Sequence, residues 1–121
     1  MRILIADDHE MMRAGLASIL QRSPDIQIVG EAADGVEALA AVRRLRPDVT
    51  LMDVRMPRLD GIGFYRAIAA TEPALARRVV FVTGDVVATD AERFLEESGC
   101  RWLAKPFRLA DLLRVVRDVL A

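Results

Sequence analysis

Residues 49–61 read VTLMDVRMPRLDG. Val49, Leu51 and Met52 form an apolar run that predicts a buried strand, and the run reaches one carboxylate, Asp53. The chain then turns through Met56-Pro57 and Asp60-Gly61. Pro57 cannot donate to a central ladder, and Gly61 accepts backbone angles that other residues avoid, so the strand should end within a few residues of Asp53. A carboxylate at the C-terminal end of a central strand lies at the mouth of an open α/β sheet, where ligands usually bind. Taken alone, Asp53 is better explained as a surface residue at a strand end.

The same pattern repeats on both sides. Residues 2–6, RILIA, predict a buried strand followed at once by Asp7-Asp8, and Met12, Leu16, Ile19 and Leu20 then mark one face of a helix. His9 begins that helix; with no second histidine available it reads as a polar loop residue, not a metal ligand. Residues 26–29 give a second strand whose partial alternation suggests a sheet edge. Asp34-Gly35 reads as a turn, and Val36, Leu39, Val42 and Leu45 mark a second helix stopped by Pro47. Arg43, Arg44 and Arg46 form its solvated face. Downstream, Phe64, Ala67 and Ile68 mark a third helix ending near Pro73, and VVFV leads a fourth strand to Thr83-Gly84-Asp85. Ala91, Phe94 and Leu95 mark a fourth helix closing at Gly99. Trp102-Leu103-Ala104 is a last short strand before Lys105-Pro106, and Leu109, Leu112, Leu113, Val116 and Leu120 mark a fifth helix. Five strand-then-helix repeats with short connections require an α/β fold with a parallel sheet covered on both faces.

Composition narrows the function. The 121 residues suit one domain over 1–121, with no linker, repeat or output domain in this sequence. Seventeen basic residues against eighteen acidic ones leave a net charge of −1, with no basic block, so nothing points to nucleic-acid binding by this domain alone. Cys100 is the single cysteine, which excludes an internal disulfide and fits a small hydrophobe in a reducing compartment. No apolar run approaches the ~18 residues of a membrane span, and no signal-peptide core opens the chain. The expectation is a cytoplasmic protein without membrane contact.

Parallel strands end on one side, so Asp7-Asp8, Asp53, Thr83 and Lys105 converge on one rim. A fold needs no charges there. Clustered carboxylates bind a hard divalent cation, and Mg²⁺ typically takes one or two of them and completes its shell with water and phosphate oxygens. A carboxylate is also a competent nucleophile toward phosphorus. Phosphoryl transfer needs charge neutralisation and in-line positioning, which a cation and the Lys105 ammonium would supply. Thr83 offers a hydroxyl to a phosphoryl oxygen, and Gly84 leaves the approach open.

With Asp7-Asp8, Asp53-Val54-Arg55-Met56-Pro57, Asp60-Gly61, Thr83-Gly84 and Lys105-Pro106-Phe107 in hand, the whole chain resembles a receiver domain of the two-component response-regulator family. Asp7 to Leu20 is similar to receivers of the transcription-factor class, and Val79 to Phe107 to receivers of hybrid histidine kinases. The resemblance implies a flavodoxin-like (βα)5 doubly wound sheet of strand order 2-1-3-4-5. It implies that Asp53 accepts a phosphoryl group from the phosphohistidine of a histidine kinase or histidine phosphotransfer protein. Asp8, Asp53 and the backbone carbonyl of Arg55 would bind Mg²⁺ (Mn²⁺ as a substitute), with Asp7 acting through water. Thr83 and Lys105 would assist the transfer, and Thr83 with Trp102 would form the switch pair. A cis bond before Pro106 is also implied, as is a dimer contact through the fourth helix, fifth strand and fifth helix. Such a chain is a signalling module, a stand-alone regulator or an excised receiver, and not a turnover enzyme.

Two departures stand out. Arg55 replaces a shorter polar residue and Trp102 a Tyr or Phe. Arg55 and Asp85 each lie two residues past a rim residue, where a pair could gate hydrolytic water. Three other functions suit these residues less well. A phosphatase of the haloacid-dehalogenase type needs a second Asp where Arg55 stands, a phosphate-independent scaffold has no use for the full site, and flavin binding rests on fold analogy.

Overall fold

Strand and helix alternate from the first residues onward: β1 (Arg2–Ala6), α1 (Glu10–Leu20), β2 (Gln27–Ala32), α2 (Gly35–Leu45), β3 (Val49–Asp53), α3 (Gly61–Thr71), α4 (Pro73–Ala76), β4 (Val79–Thr83), α5 (Thr89–Ser98), β5 (Arg101–Ala104) and α6 (Leu109–Leu120). The computed structural model describes residues 1–54, 58–83, 89–104 and 107–120; for residues 83 and 89–92 it describes the backbone alone. The five strands are parallel, in the order β2-β1-β3-β4-β5. This is the order the resemblance implied, with β2 at an edge as its alternation suggested.

Period-two alternation divides the core into two layers. Ile3 and Ile5 of β1, Val49 and Leu51 of β3 and Val80 of β4 pack with Leu16 and Leu20 of α1 and Leu112 and Val116 of α6. The intervening positions, Leu4, Ala6, Met52, Val79 and Phe81, pack with α2, α3, α4 and α5. Both faces of the sheet are therefore covered, and its central strands read as continuous apolar runs for that reason. Tyr65, Phe81 and Phe94 meet edge-on at centroid separations of 5.3–6.2 Å, joining α3, β4 and α5.

Several expectations need correction. Among the described residues six helical segments are present where the sequence reading gives five. Pro73 does end the third helix, but its fixed φ suits a first helical position, and it opens the single turn α4, which buries Leu75 and Ala76. The fourth and fifth helices of the sequence reading are therefore α5 and α6. On α2 the buried face is Ala38, Ala41 and Val42, and Val36 is exposed. Met12 and Ile19 of α1 are exposed as well, leaving Leu16 and Leu20 to make the core contact.

Both Asp-Gly pairs open helices and do not close hairpin-like turns. The Asp34 carboxylate accepts from the Glu37 amide at 2.8 Å and caps α2, and Asp60 accepts from the Gly63 amide at 2.8 Å and caps α3. Gly61 is needed for closeness, not for unusual angles. A Cβ there would lie 3.0 Å from Phe81 and from the Val54 Cα. Among the described residues of this stretch the left-handed one is Arg58, at φ 67°.

Candidate functional site at the C-terminal rim of the sheet

Register assembles the rim. Ala6 pairs with Met52, so Asp7 and Asp53 follow on adjacent strands, whose backbones run about 5 Å apart. Asp53 itself pairs with Val82, which puts Thr83 one residue further along β4, and Thr83 pairs with Ala104. The ladder thus brings three of the four expected strand ends into line. Lys105, Pro106, Arg55 and Asp85 lie outside the described residues, as do the bond before Pro106 and the gating pair. For Thr83 the backbone register alone is described.

Asp7 and Asp53 are buried, with 2% and 8% of their surfaces exposed, whereas Asp8 is exposed. The Asp7 amide donates to the Ala32 carbonyl at 3.0 Å, extending the β1–β2 ladder past the strand, and its Oδ1 accepts from the His9 amide at 2.9 Å. Arg13, one turn into α1, donates from Nη1 to the Asp7 carbonyl and pairs through Nε with Glu31 at 3.4 Å. These contacts fix the backbone that presents Asp7 and Asp8.

The loop after Asp53 is tied at both ends. Val54 donates to the Val82 carbonyl at 3.3 Å, and its own carbonyl accepts from Gly61 at 2.9 Å. Arg58 Nη1 donates to Asp34 Oδ2 at 3.1 Å. The Glu37 amide and then the Arg58 guanidinium hold the Asp34 carboxyl below the usual carboxylate range, partly opposed by desolvation.

The sequence reading missed two features. His9 was read as a plain loop residue, yet its Nδ1 sits 3.2 Å from Asp8 Oδ1 and 3.5 Å from Asp7 Oδ1, and the three groups offer donor atoms within 4.8 Å of one another. No periodicity signals that contact; only proximity to the acidic pair does. The Asp34–Arg58 bond spans 24 residues and leaves no local trace, although the Asp34-x-x-Glu37 spacing does signal a helix start.

The donor set fits a hard cation. Two buried carboxylates at adjacent strand ends and an exposed third supply oxygen ligands of the kind Mg²⁺ takes, and a cation there relieves repulsion between like charges. Cys100, by contrast, packs against the core at the far end of β5. Burial raises its thiol, with bonds to Ser98 and Tyr65 opposing, so it behaves as the inert small hydrophobe read from the sequence.

The sequence matches the family model for the response regulator receiver domain over residues 3–117. The chain belongs to that family. This receiver is 34% identical to the response regulator GacA of Pseudomonas viridiflava over 120 residues, covering 99% of this chain and 55% of that protein. It is 36% identical to the transcriptional regulatory protein LiaR of Bacillus subtilis over 118 residues, covering 96% of this chain and 54% of LiaR. The receiver therefore spans about half the length of the curated relatives it matches. Its fold superposes on the receiver domain of the sensor histidine kinase PA1611 from Pseudomonas aeruginosa PAO1 with a TM-score of 0.83 and 33% identity, covering 98% of this chain and 96% of that one. That neighbour was solved with a magnesium ion coordinated in its active site cleft. The relatives include both a transcriptional regulator and a histidine kinase receiver, each matched over nearly the whole chain. No helix of the described residues is long and apolar enough to cross a membrane.

Proposed function

We propose that this receiver takes a phosphoryl group onto Asp53 from a phosphohistidine, and that the acyl phosphate alters a binding surface on α5, β5 and α6. One observation supports this above the rest: a buried carboxylate at the end of β3 stands in register beside a second, Asp7, with Asp8 next to it. An Asp53 oxygen attacks phosphorus, the P–N bond breaks, and its electron pair leaves with the donor imidazole. Loss of the signal reverses the charge: water attacks phosphorus, the P–O bond to Asp53 breaks, and inorganic phosphate leaves. Asp8, Asp53 and the Arg55 carbonyl would hold Mg²⁺, or Mn²⁺ in its place, and Asp7 would act through water. The cation supplies charge neutralisation for the transferring group. Lys105 adds a positive charge, and Thr83 binds a phosphoryl oxygen and pairs with Trp102 in the switch. Arg55 and Asp85, each two residues past a rim residue in the sequence, would gate hydrolytic water and slow the loss.

The partners are a histidine kinase or a histidine phosphotransfer protein in the cytoplasm, and a second copy of the receiver through the α5–β5–α6 face. The domain is a self-modifying signalling module, not a turnover enzyme. Intact mass after incubation with acetyl phosphate and Mg²⁺ tests the chemistry. One added phosphoryl group is expected, absent in Asp53→Ala and after chelation by EDTA. Equal incorporation without the cation would overturn the reading.

A further inference from the structure

The stretch that leaves the sheet at Asp53 returns at Gly61, and its returning half is held by a helix that carries none of the rim carboxylates. The Leu59 carbonyl lies so close to Gly35, the first residue of α2, that a Cβ at that position would overlap it. Beside it, Arg58 takes a left-handed conformation, which crowds a side chain's Cβ against the following carbonyl. Its guanidinium reaches Asp34 Oδ2, while Asp34 Oδ1 caps α2 through the Glu37 amide. One carboxylate serves helix and loop together. Capping alone asks for no charge, since Asn or Ser does it as well. The bond to Arg58 is the part that capping leaves unexplained.

We propose that Asp34 is a positioning residue for the phosphoacceptor. By holding Arg58 in its left-handed conformation, Asp34 fixes residues 58–61, which lead back to the Val54 carbonyl, and so sets how the rim presents its oxygens to a divalent cation. The inference rests on the reading of Asp53 as acceptor and of the rim as a cation site. It adds a residue from the β2–α2 connection, on the other side of the β1 strand from the acceptor. The grip has three points. Gly35 meets Leu59 by shape, Asp34 meets Arg58 by charge, and Gly61 closes the loop's base through the Val54 carbonyl.

Two variants separate positioning from folding. Asp34→Asn keeps an oxygen for the Glu37 amide and removes the charge that draws Arg58. Arg58→Gly removes the guanidinium and keeps the backbone conformation accessible. The measurements are the Mg²⁺ dissociation constant by calorimetry, the rate of labelling by acetyl phosphate, and Tm. Each single variant should weaken Mg²⁺ binding by about tenfold, the low end of what losing an outer-shell partner costs a metal site. Tm should stay within about 4 °C of wild type. The double variant should be no worse than the weaker single, because both remove one contact. Wild-type Mg²⁺ affinity in both singles, or a loss that only follows the unfolded fraction, would overturn the proposal. A wild-type protein that neither binds Mg²⁺ nor accepts a phosphoryl group would bring down the acceptor reading as well, and the wild-type arm reports that separately.

Discussion

Asp34 shows how one side chain ties stability to pH. Its carboxyl is held low first by the Glu37 amide and then by Arg58, both of which favour the ionised form. The unfolded chain has neither, so its carboxyl titrates near the ordinary value of about 4. A folded value below the unfolded one stabilises the native state fully above the unfolded value, and the contribution disappears as pH falls through the folded one. Wild type should therefore lose more Tm than Asp34→Asn between pH 6 and pH 3, the two curves converging at the acid end. Parallel curves across that range would mean that the Asp34 charge contributes nothing to the fold. Arg58 lies at the opposite extreme of legibility. An arginine in the left-handed region has no signal in a sequence, because its conformation is imposed by Asp34 and by Gly35 against Leu59. The Asp-Gly pairs fall between these cases. The same short carboxylate that makes an Asx-turn also caps a helix, so residue type fixed a change of direction there without deciding what came next.

Elements were legible where burial is two-sided or periodic. The apolar runs of β1, β3 and β4 must lie between helix layers, and Leu112 and Val116 of α6 follow the stripe read from the sequence. The one-turn α4 was not legible, since four residues carry no period. On α1 the pattern misled in a useful way. Met12 and Ile19 belong to the apolar spacing yet are exposed, and Met11, 88% exposed, stands beside them. Gly15 lies on this uncovered side, where an added Cβ would touch nothing within 4 Å. The helix begins two residues after Asp8, so the phosphohistidine donor proposed above would pass beside its uncovered face to reach the rim. Replacing Gly15 by Lys should raise the stability of α1 by about 0.5–1 kcal/mol, the usual penalty of a mid-helix glycine. It should also obstruct that partner. Transfer from a phosphorylated histidine phosphotransfer protein should slow while acetyl phosphate labels Asp53 as before. If both donors slow together, the helix face has no part in docking.

At the scale of the whole molecule, the proposed switch must carry an event at the rim to a surface on the far side of β4. The register supplies a short route. Thr83 pairs with Ala104, two residues past the Phe81–Trp102 pair, so positions 83 and 102 share the same phase on neighbouring strands. Trp102 is 39% exposed on the edge strand β5, beside a core in which Phe81 is wholly buried among close-packed rings. An indole is larger than the rings it replaces in the family pattern, and close-packed interiors give way by switching between arrangements, not by gradual deformation. In the proposed switch its inward movement would need a vacancy, which displacement of Thr83 would supply. Phosphorylation adds charge locally, and a two-position element of this kind turns that charge into a change of surface. Trp102 is the only tryptophan, which makes its emission a direct reporter. With Mg²⁺ and beryllium fluoride as phosphoryl mimic, wild type should show a blue-shifted emission and reduced quenching by iodide. Asp53→Ala should show neither change. Thr83→Ala should bind the mimic yet leave the emission near its starting value, because the group that couples site to indole is gone. A wild-type spectrum unmoved by the mimic, at concentrations where calorimetry shows it bound, would assign Trp102 to edge packing and leave the α5–β5–α6 surface without a switch.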